Sequence, residues 1–121
     1  AGFEPQVLRW ALSRALADRA DRLRRHDEAL GQRREELRLA GQLPGDASTL
    51  KIFTGASAAD FARTVTGMPE APAGLREEAL RLLGSCCDGV PRPYRVEHPG
   101  TIVSTPAAEE VIRLSAALAA R

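Results

Sequence analysis

The chain has 121 residues and an almost balanced charge, with 17 Lys and Arg against 16 Asp and Glu and a formal net charge of +1. This balance leaves no overall field to attract nucleic acid or an anionic membrane, and the length allows one domain, or one small domain with an appended helix. Aromatic residues make up only 4% of the chain, so the core depends on Leu, Val, Ile and Ala, which favours helices. Without a run of about 20 apolar residues or a secretory signal, the sequence predicts a soluble cytoplasmic protein without membrane association.

Residues 1–43 are predicted to form a long, charged N-terminal helix. Pro5 suits the first turn of a helix, where its missing N–H needs no partner. Between Asp18 and Arg38 the sequence is dense in basic and acidic residues, and opposite charges four residues apart stabilise an exposed helix. Gly31 interrupts this stretch and costs about 1 kcal/mol relative to Ala inside a helix. The segment is therefore either one continuous rod, as in a coiled coil, or a helical hairpin in which the residues after Gly31 fold back.

Leucines recur every seven residues along this helix, from Leu16 to Leu37, and an apolar stretch precedes them. One leucine every two turns forms a narrow apolar seam, which is typical of a helix that packs against another helix. We expect the seam to bind a second copy of the chain or a different protein, with the charged neighbours selecting partner and orientation. The predicted interface residues are Leu8, Leu12, Leu16, Leu23, Leu30 and Leu37.

Residues 44–121 are predicted to form a small body of mixed structure. Its elements are separated by residues that interrupt helices and strands, near Gly45 and Gly55, and by changes in the spacing of apolar residues. The fold class expected for the whole chain is α+β, mostly helical. The predicted elements of the body are a short strand at 50–53, a helix around Phe61, a helix from Leu75 to about Leu83, a β-hairpin formed by residues 94–98 and 101–104, and a final helix after Thr105.

This order of elements resembles that of winged helix-turn-helix proteins over residues 50–104. The resemblance implies a DNA-binding regulator in which the helix from Leu75 to Leu83 contacts DNA and Pro99-Gly100 forms the wing tip. Glu77 and Glu78 share the surface of that helix and would repel phosphates, so DNA binding is kept as the alternative function. The residues expected to contact DNA in this alternative are Arg76, Arg81, Arg92 and Arg95.

No catalytic, metal or nucleotide motif stands out. Cys86, Cys87 and His98 could supply three ligands, thiolates and an imidazole, that suit zinc, but structural zinc sites use four ligands, and adjacent cysteines do not easily face one ion. The chain has no Gly-x-Ser-x-Gly motif and no glycine-rich phosphate loop with its lysine. We therefore predict no cofactor, no metal and no small-molecule ligand, and an enzyme is the less favoured class.

The sequence thus favours a non-catalytic interaction, assembly or adaptor protein that acts through its N-terminal helix. Buried leucines would hold the partner, because each contributes about 1.5 to 3 kcal/mol, whereas an exposed ion pair contributes at most about 1 kcal/mol. A dimeric DNA-binding regulator with a winged body is the alternative. The identity of the partner and the number of subunits do not follow from the sequence.

Overall fold

The computed structural model describes residues 5–87, 95–98 and 101–120. Helices make up most of the described chain, and none of these helices is long and apolar enough to cross a lipid bilayer. The elements in chain order are α1 (Pro5–Arg22), α2 (His26–Ala40), α3 (Ala47–Thr66), α4 (Ala73–Cys87), β1 (Arg95–His98), β2 (Thr101–Ser104) and α5 (Ala108–Ala119).

The N-terminal segment is a helical hairpin of α1 and α2, folded in the turn directly after α1. Arg24 adopts a left-handed backbone with φ of 59°. The Arg25 N–H donates to the Ala20 carbonyl at 2.9 Å, and the Arg24 N–H donates to the Asp21 carbonyl at 3.1 Å. These two bonds form the Schellman motif that ends many helices, here with arginine where glycine is usual. Of the two predicted alternatives, the continuous rod is therefore wrong. The chain folds back, but it does so before Gly31, which lies inside α2 without breaking it.

The third helix, α3, is central and packs against α2, α4, α5 and both strands. Residues 55–62 are all buried and mostly small, which lets the neighbouring elements approach closely. A Cβ added at Gly55 would lie 3.3 Å from the Thr105 Cγ2 atom. The predicted strand at 50–53 is wrong, because these residues belong to α3, where Phe53 meets Trp10 edge-on with 4.8 Å between ring centroids.

Two apolar clusters flank the middle of α3. The first joins α1, α2 and β2 to the first half of α3 around Trp10 and Phe53. The second joins α4 and α5 to the second half of α3 around Phe61 and Leu83. Because the first cluster takes residues from both predicted segments, 1–43 and 44–121, the helical hairpin and the body share one core.

The two strands form a small antiparallel ribbon, with Val96 opposite Val103 and Glu97 opposite Ile102. Each strand has four residues, and the ribbon packs against α3. The predicted α+β fold class was wrong: among the described residues the architecture is carried by five helices, and the ribbon is not a second layer. The first strand of the winged order is also replaced by helix, so the described elements do not follow that order.

Candidate functional site: the outer face of α1 and the charge cluster beneath it

Four of the six predicted interface leucines lie exposed along α1. Leu8, Leu12 and Leu16 recur every four residues, and Leu23 follows in the turn after the helix. Their exposed fractions are 51%, 60%, 37% and 48%, respectively. Aliphatic side chains this open to water are individually ordinary, but these four, three on α1 and one in the turn after it, lie on one side of the hairpin and form an apolar strip. We call this strip, together with the arginines described below, the outer face of α1.

The other two predicted interface residues, Leu30 and Leu37, are placed differently. Both lie on α2, are partly buried and pack against the second apolar cluster. The hairpin turn before α2 separates them from the outer face of α1. The predicted seam is therefore split into an exposed part on α1 and a part that belongs to the protein's own core.

Arginines share the outer face with the leucines. Arg9, Arg19 and Arg22 are all exposed, and at 100° per residue Arg19 falls between Leu8 and Leu12 on the helix surface. The two carboxylates that α1 contains, Asp18 and Asp21, both accept hydrogen bonds from an arginine of α2 and point towards it. The outer face of α1 is thus apolar and basic.

A buried arginine on α2 binds these two carboxylates. The Arg33 side chain is only 3% exposed, and its Nη2 donates to Asp18 at 2.7 Å and to Asp21 at 2.9 Å. Its Nη1 donates to Glu36 at 2.9 Å and its Nε donates to the Thr64 hydroxyl at 2.9 Å. One guanidinium therefore connects α1, α2 and α3 at a single point.

Asp60 of α3 is the second centre of this network. Its side chain is 4% exposed, and it accepts hydrogen bonds from Arg14 Nε at 2.9 Å and from Arg63 Nη1 at 2.5 Å. Arg33 Nη1 lies 3.7 Å from it. We call the whole network the Arg33 cluster; its members are Arg14, Asp18, Asp21, Arg33, Glu36, Asp60, Arg63 and Thr64.

The two buried carboxyl groups of the cluster, Glu36 and Asp60, have pKa values that are shifted in opposite directions. Burial, followed by the adjacent Asp60, raises the pKa of Glu36 to about 9, although Arg33 opposes the shift. Burial works against ionised Asp60, but the hydrogen bond with Glu36 and the nearby arginines outweigh it and lower the pKa of Asp60. Among the described residues, the buried Oε2 atom of Glu36 has no hydrogen-bond partner. A proton on Glu36 gives this carboxyl group a donor, which can form a hydrogen bond with Asp60. At neutral pH, Glu36 is therefore protonated and Asp60 is ionised.

The Arg33 cluster was not predicted from the sequence, although one pattern pointed to it. Ser57, Asp60 and Thr64 recur at the spacing of one helix face within a run of small buried residues. Ser57 accepts from the Trp10 indole at 2.8 Å, next to the cluster. Glu36 and Asp60 are almost fully buried, whereas Asp21, Arg63 and Thr64 of the same cluster line a cleft of about 150 Å³. The hydrogen bonds of the cluster hold α1, α2 and α3 together.

Of the four residues predicted for DNA binding, the structure describes the side chains of Arg76 and Arg81, and both lie on α4. Arg76 lies near the start of α4, where its Nη1 donates to the Ala120 carbonyl at 3.3 Å beside a cleft of about 330 Å³. Arg81 is exposed on the same helix. Arg92 lies outside the described residues, and so does the side chain of Arg95. On the exposed side of α4, Glu78 forms an ion pair with Arg34 of α2.

The side chains considered as metal ligands lie outside the part of the chain that the structure describes. The side chains of Cys86, Cys87 and His98 are not among the described ones. Within the part of the chain that the structure describes, no group of three or more His, Cys, Asp or Glu residues is arranged to hold a metal ion. Comparisons with protein-family models, with curated proteins and with solved structures found no match to this chain.

Proposed function

We propose that the protein is a non-catalytic binding protein that docks a helix of another polypeptide on the outer face of α1. The observation that carries the proposal is the strip of four exposed leucines, which are 37% to 60% open to water along one helix. The proposal includes the cytoplasmic location expected from the sequence.

The leucines would act by burial against the apolar face of the docked helix. Leu8, Leu12 and Leu16 lie at i, i+4 and i+8, the spacing with which helices present anchors to a groove or to another helix. Fully burying one such side chain contributes about 1.5 to 3 kcal/mol, so three or four of them supply the main attraction. On its inner side α1 is fastened to the body by Trp10 and the Arg33 cluster, so the face is preformed.

The experiment compares binding of model helices by the intact protein and by Leu12→Asp with Leu16→Asp. Three synthetic amphipathic peptides with the same leucine spacing, flanked by Glu, Gln or Lys, serve as probes in fluorescence anisotropy. The intact protein is expected to bind at least one of them. The double variant is expected to lose at least about tenfold in affinity, because charge is placed where apolar surface is buried.

Ile112→Asp is the matched control, since Ile112 is an aliphatic residue of α5 that is 69% exposed. It is expected to bind as the intact protein does. Thermal unfolding of all variants checks that they remain folded. Binding of no peptide, or equal binding by the double variant and the control, would contradict the proposed function.

A further inference from the structure

We propose that the partner of α1 is an acidic amphipathic helix, whose charge fits this face better than that of a second copy of this chain. This inference rests on the proposed function and specifies its partner. Two observations support it. Arginines border the leucine strip, and the carboxylates of α1 are bound by Arg33 of α2.

The outer face offers positive charge that α1 does not neutralise. Arg9, Arg19 and Arg22 are exposed beside the leucines. Asp18 and Asp21 would be the intrahelical partners of such arginines, but both are bound by the buried Arg33 at 2.7 and 2.9 Å. The Arg33 cluster therefore engages both carboxylates of α1, although the Asp18 side chain is still 48% exposed. A helix with glutamates or aspartates on both sides of an apolar stripe is complementary to this face.

Pairing of two copies through this face adds positive charge to positive charge. In an antiparallel pair with Leu8 level with Leu23 of the second copy, Arg9 is level with the second copy's Arg22, on the opposite edge of the leucine strip. In a parallel pair each arginine is level with itself. Each copy brings the same three exposed arginines to the interface, so charge does not favour a homodimer.

The length of the strip sets the size of the partner segment. Leu8 and Leu23 are fifteen positions apart in the sequence, which corresponds to about 22 Å of helix at a rise of about 1.5 Å per residue. A partner helix of about four turns covers this distance. Such a segment is near the length at which an isolated helix becomes marginally stable, so it is expected to become ordered on binding.

The experiment measures the affinity of the intact protein for two synthetic helices of about 20 residues that have the same leucines but carry either Glu or Lys at the flanking positions. The acidic peptide is expected to bind at least about tenfold more tightly than the basic one. This preference should weaken as salt is added, because screening reduces the attraction between exposed charges. In the variant Arg9→Glu, Arg19→Glu, Arg22→Glu the preference should reverse.

Several results would overturn the inference while leaving the proposed function standing. Equal affinity for the two peptides, lost in Leu12→Asp with Leu16→Asp, would show that a helix binds there without charge selection. A mass in light scattering that doubles with concentration and falls in that double variant would show that a second copy is the partner. Binding of anionic phospholipid vesicles without binding of the acidic peptide would identify a membrane surface instead. Loss of all binding would contradict the proposed function itself.

Discussion

The two faces of α1 differ in what their side chains contact. The inner face carries Trp10 and directs Asp18 and Asp21 to a buried guanidinium, whereas the outer face presents leucines to water. The buried charge of Arg33 is tolerated because Asp18, Asp21 and its other partners satisfy it with hydrogen bonds. The exposed leucines are not covered by other described residues of the protein. For this reason we assign the binding role to the outer face.

The comparison teaches that a polar side chain of the helical hairpin is buried where it has hydrogen-bond partners, and that an apolar one without a contact stays exposed. Arg33 is more deeply buried than Leu12 because four carboxyl groups and a hydroxyl surround it. Removing a residue from the inner face should therefore cost much more stability than removing one from the outer face. The three predictions below test this difference, beginning with the largest expected effect.

Arg33→Ala should have the largest effect on stability. The substitution leaves Asp60 buried without one of its arginines and releases Asp18 and Asp21 from the contact that joins α1 to α2. Breaking a buried ion pair by removing one partner costs about 3 to 5 kcal/mol, and the free energy of unfolding should fall by that order. Urea denaturation followed by circular dichroism measures it.

Arg38→Ala is the matched control, because Arg38 lies on the same helix but is exposed and pairs with the exposed Glu35. Its denaturation midpoint should stay within error of that of the intact protein. If the two variants were equally stable, the Arg33 cluster would not be the contact that holds α1 in place.

The stability of the protein should fall as the pH rises from about 5 to about 9. The pKa of Glu36 is raised to about 9 in the folded protein by burial and by Asp60, against an ordinary value of 4.5, so the folded state holds a proton that the unfolded chain releases. The stabilisation from that proton is complete below the ordinary pKa of Glu36 and is lost as the pH passes through the raised value. Glu36→Gln keeps a hydrogen-bond donor at this position without a titrating group and should flatten the profile.

Urea midpoints measured across this pH range test the prediction. Glu35→Gln, at the neighbouring exposed position, should keep the slope of the intact protein. An unchanged slope in Glu36→Gln would mean that Glu36 is ionised in the folded protein at neutral pH.

The smallest effects should distinguish two of the six predicted interface leucines. Leu37→Ala removes part of the second apolar cluster and should cost about 1 to 2 kcal/mol, less than a fully buried leucine. Leu12→Ala changes a side chain that is 60% exposed and should alter the free energy of unfolding by no more than about 0.5 kcal/mol. Equal costs, measured by urea denaturation, would mean that the outer face of α1 is part of the protein's own core.

The helical character of the N-terminal segment could be predicted from its apolar and charge spacing, but its fold could not. The turn after α1 contains neither glycine nor proline, and Arg24 adopts the left-handed conformation that glycine normally supplies. Gly31, the residue that suggested a break, lies inside α2. The strand predicted at 50–53 failed because packing of Phe53 against Trp10 outweighs the preference of four residues.

The candidate site was partly visible in the sequence. The leucines of α1 follow from the stripe itself, although their role as an interface stays a prediction. That Leu30 and Leu37 turn inward depends on the position of the hairpin turn. The Arg33 cluster depends on three helices meeting, and sequence spacing shows only the face of α3 that carries Ser57 and Asp60.

The measurement that tests the central claim most directly is a map of backbone amide shifts in the isotopically labelled protein as the acidic peptide is added. We predict shifts concentrated at Leu8, Leu12, Leu16 and Leu23 and their exposed neighbours, with the amides around Ile112 on α5 unchanged. Shifts centred on α4 or α5, or spread evenly over all five helices, would contradict the assignment of the outer face of α1 as the binding surface.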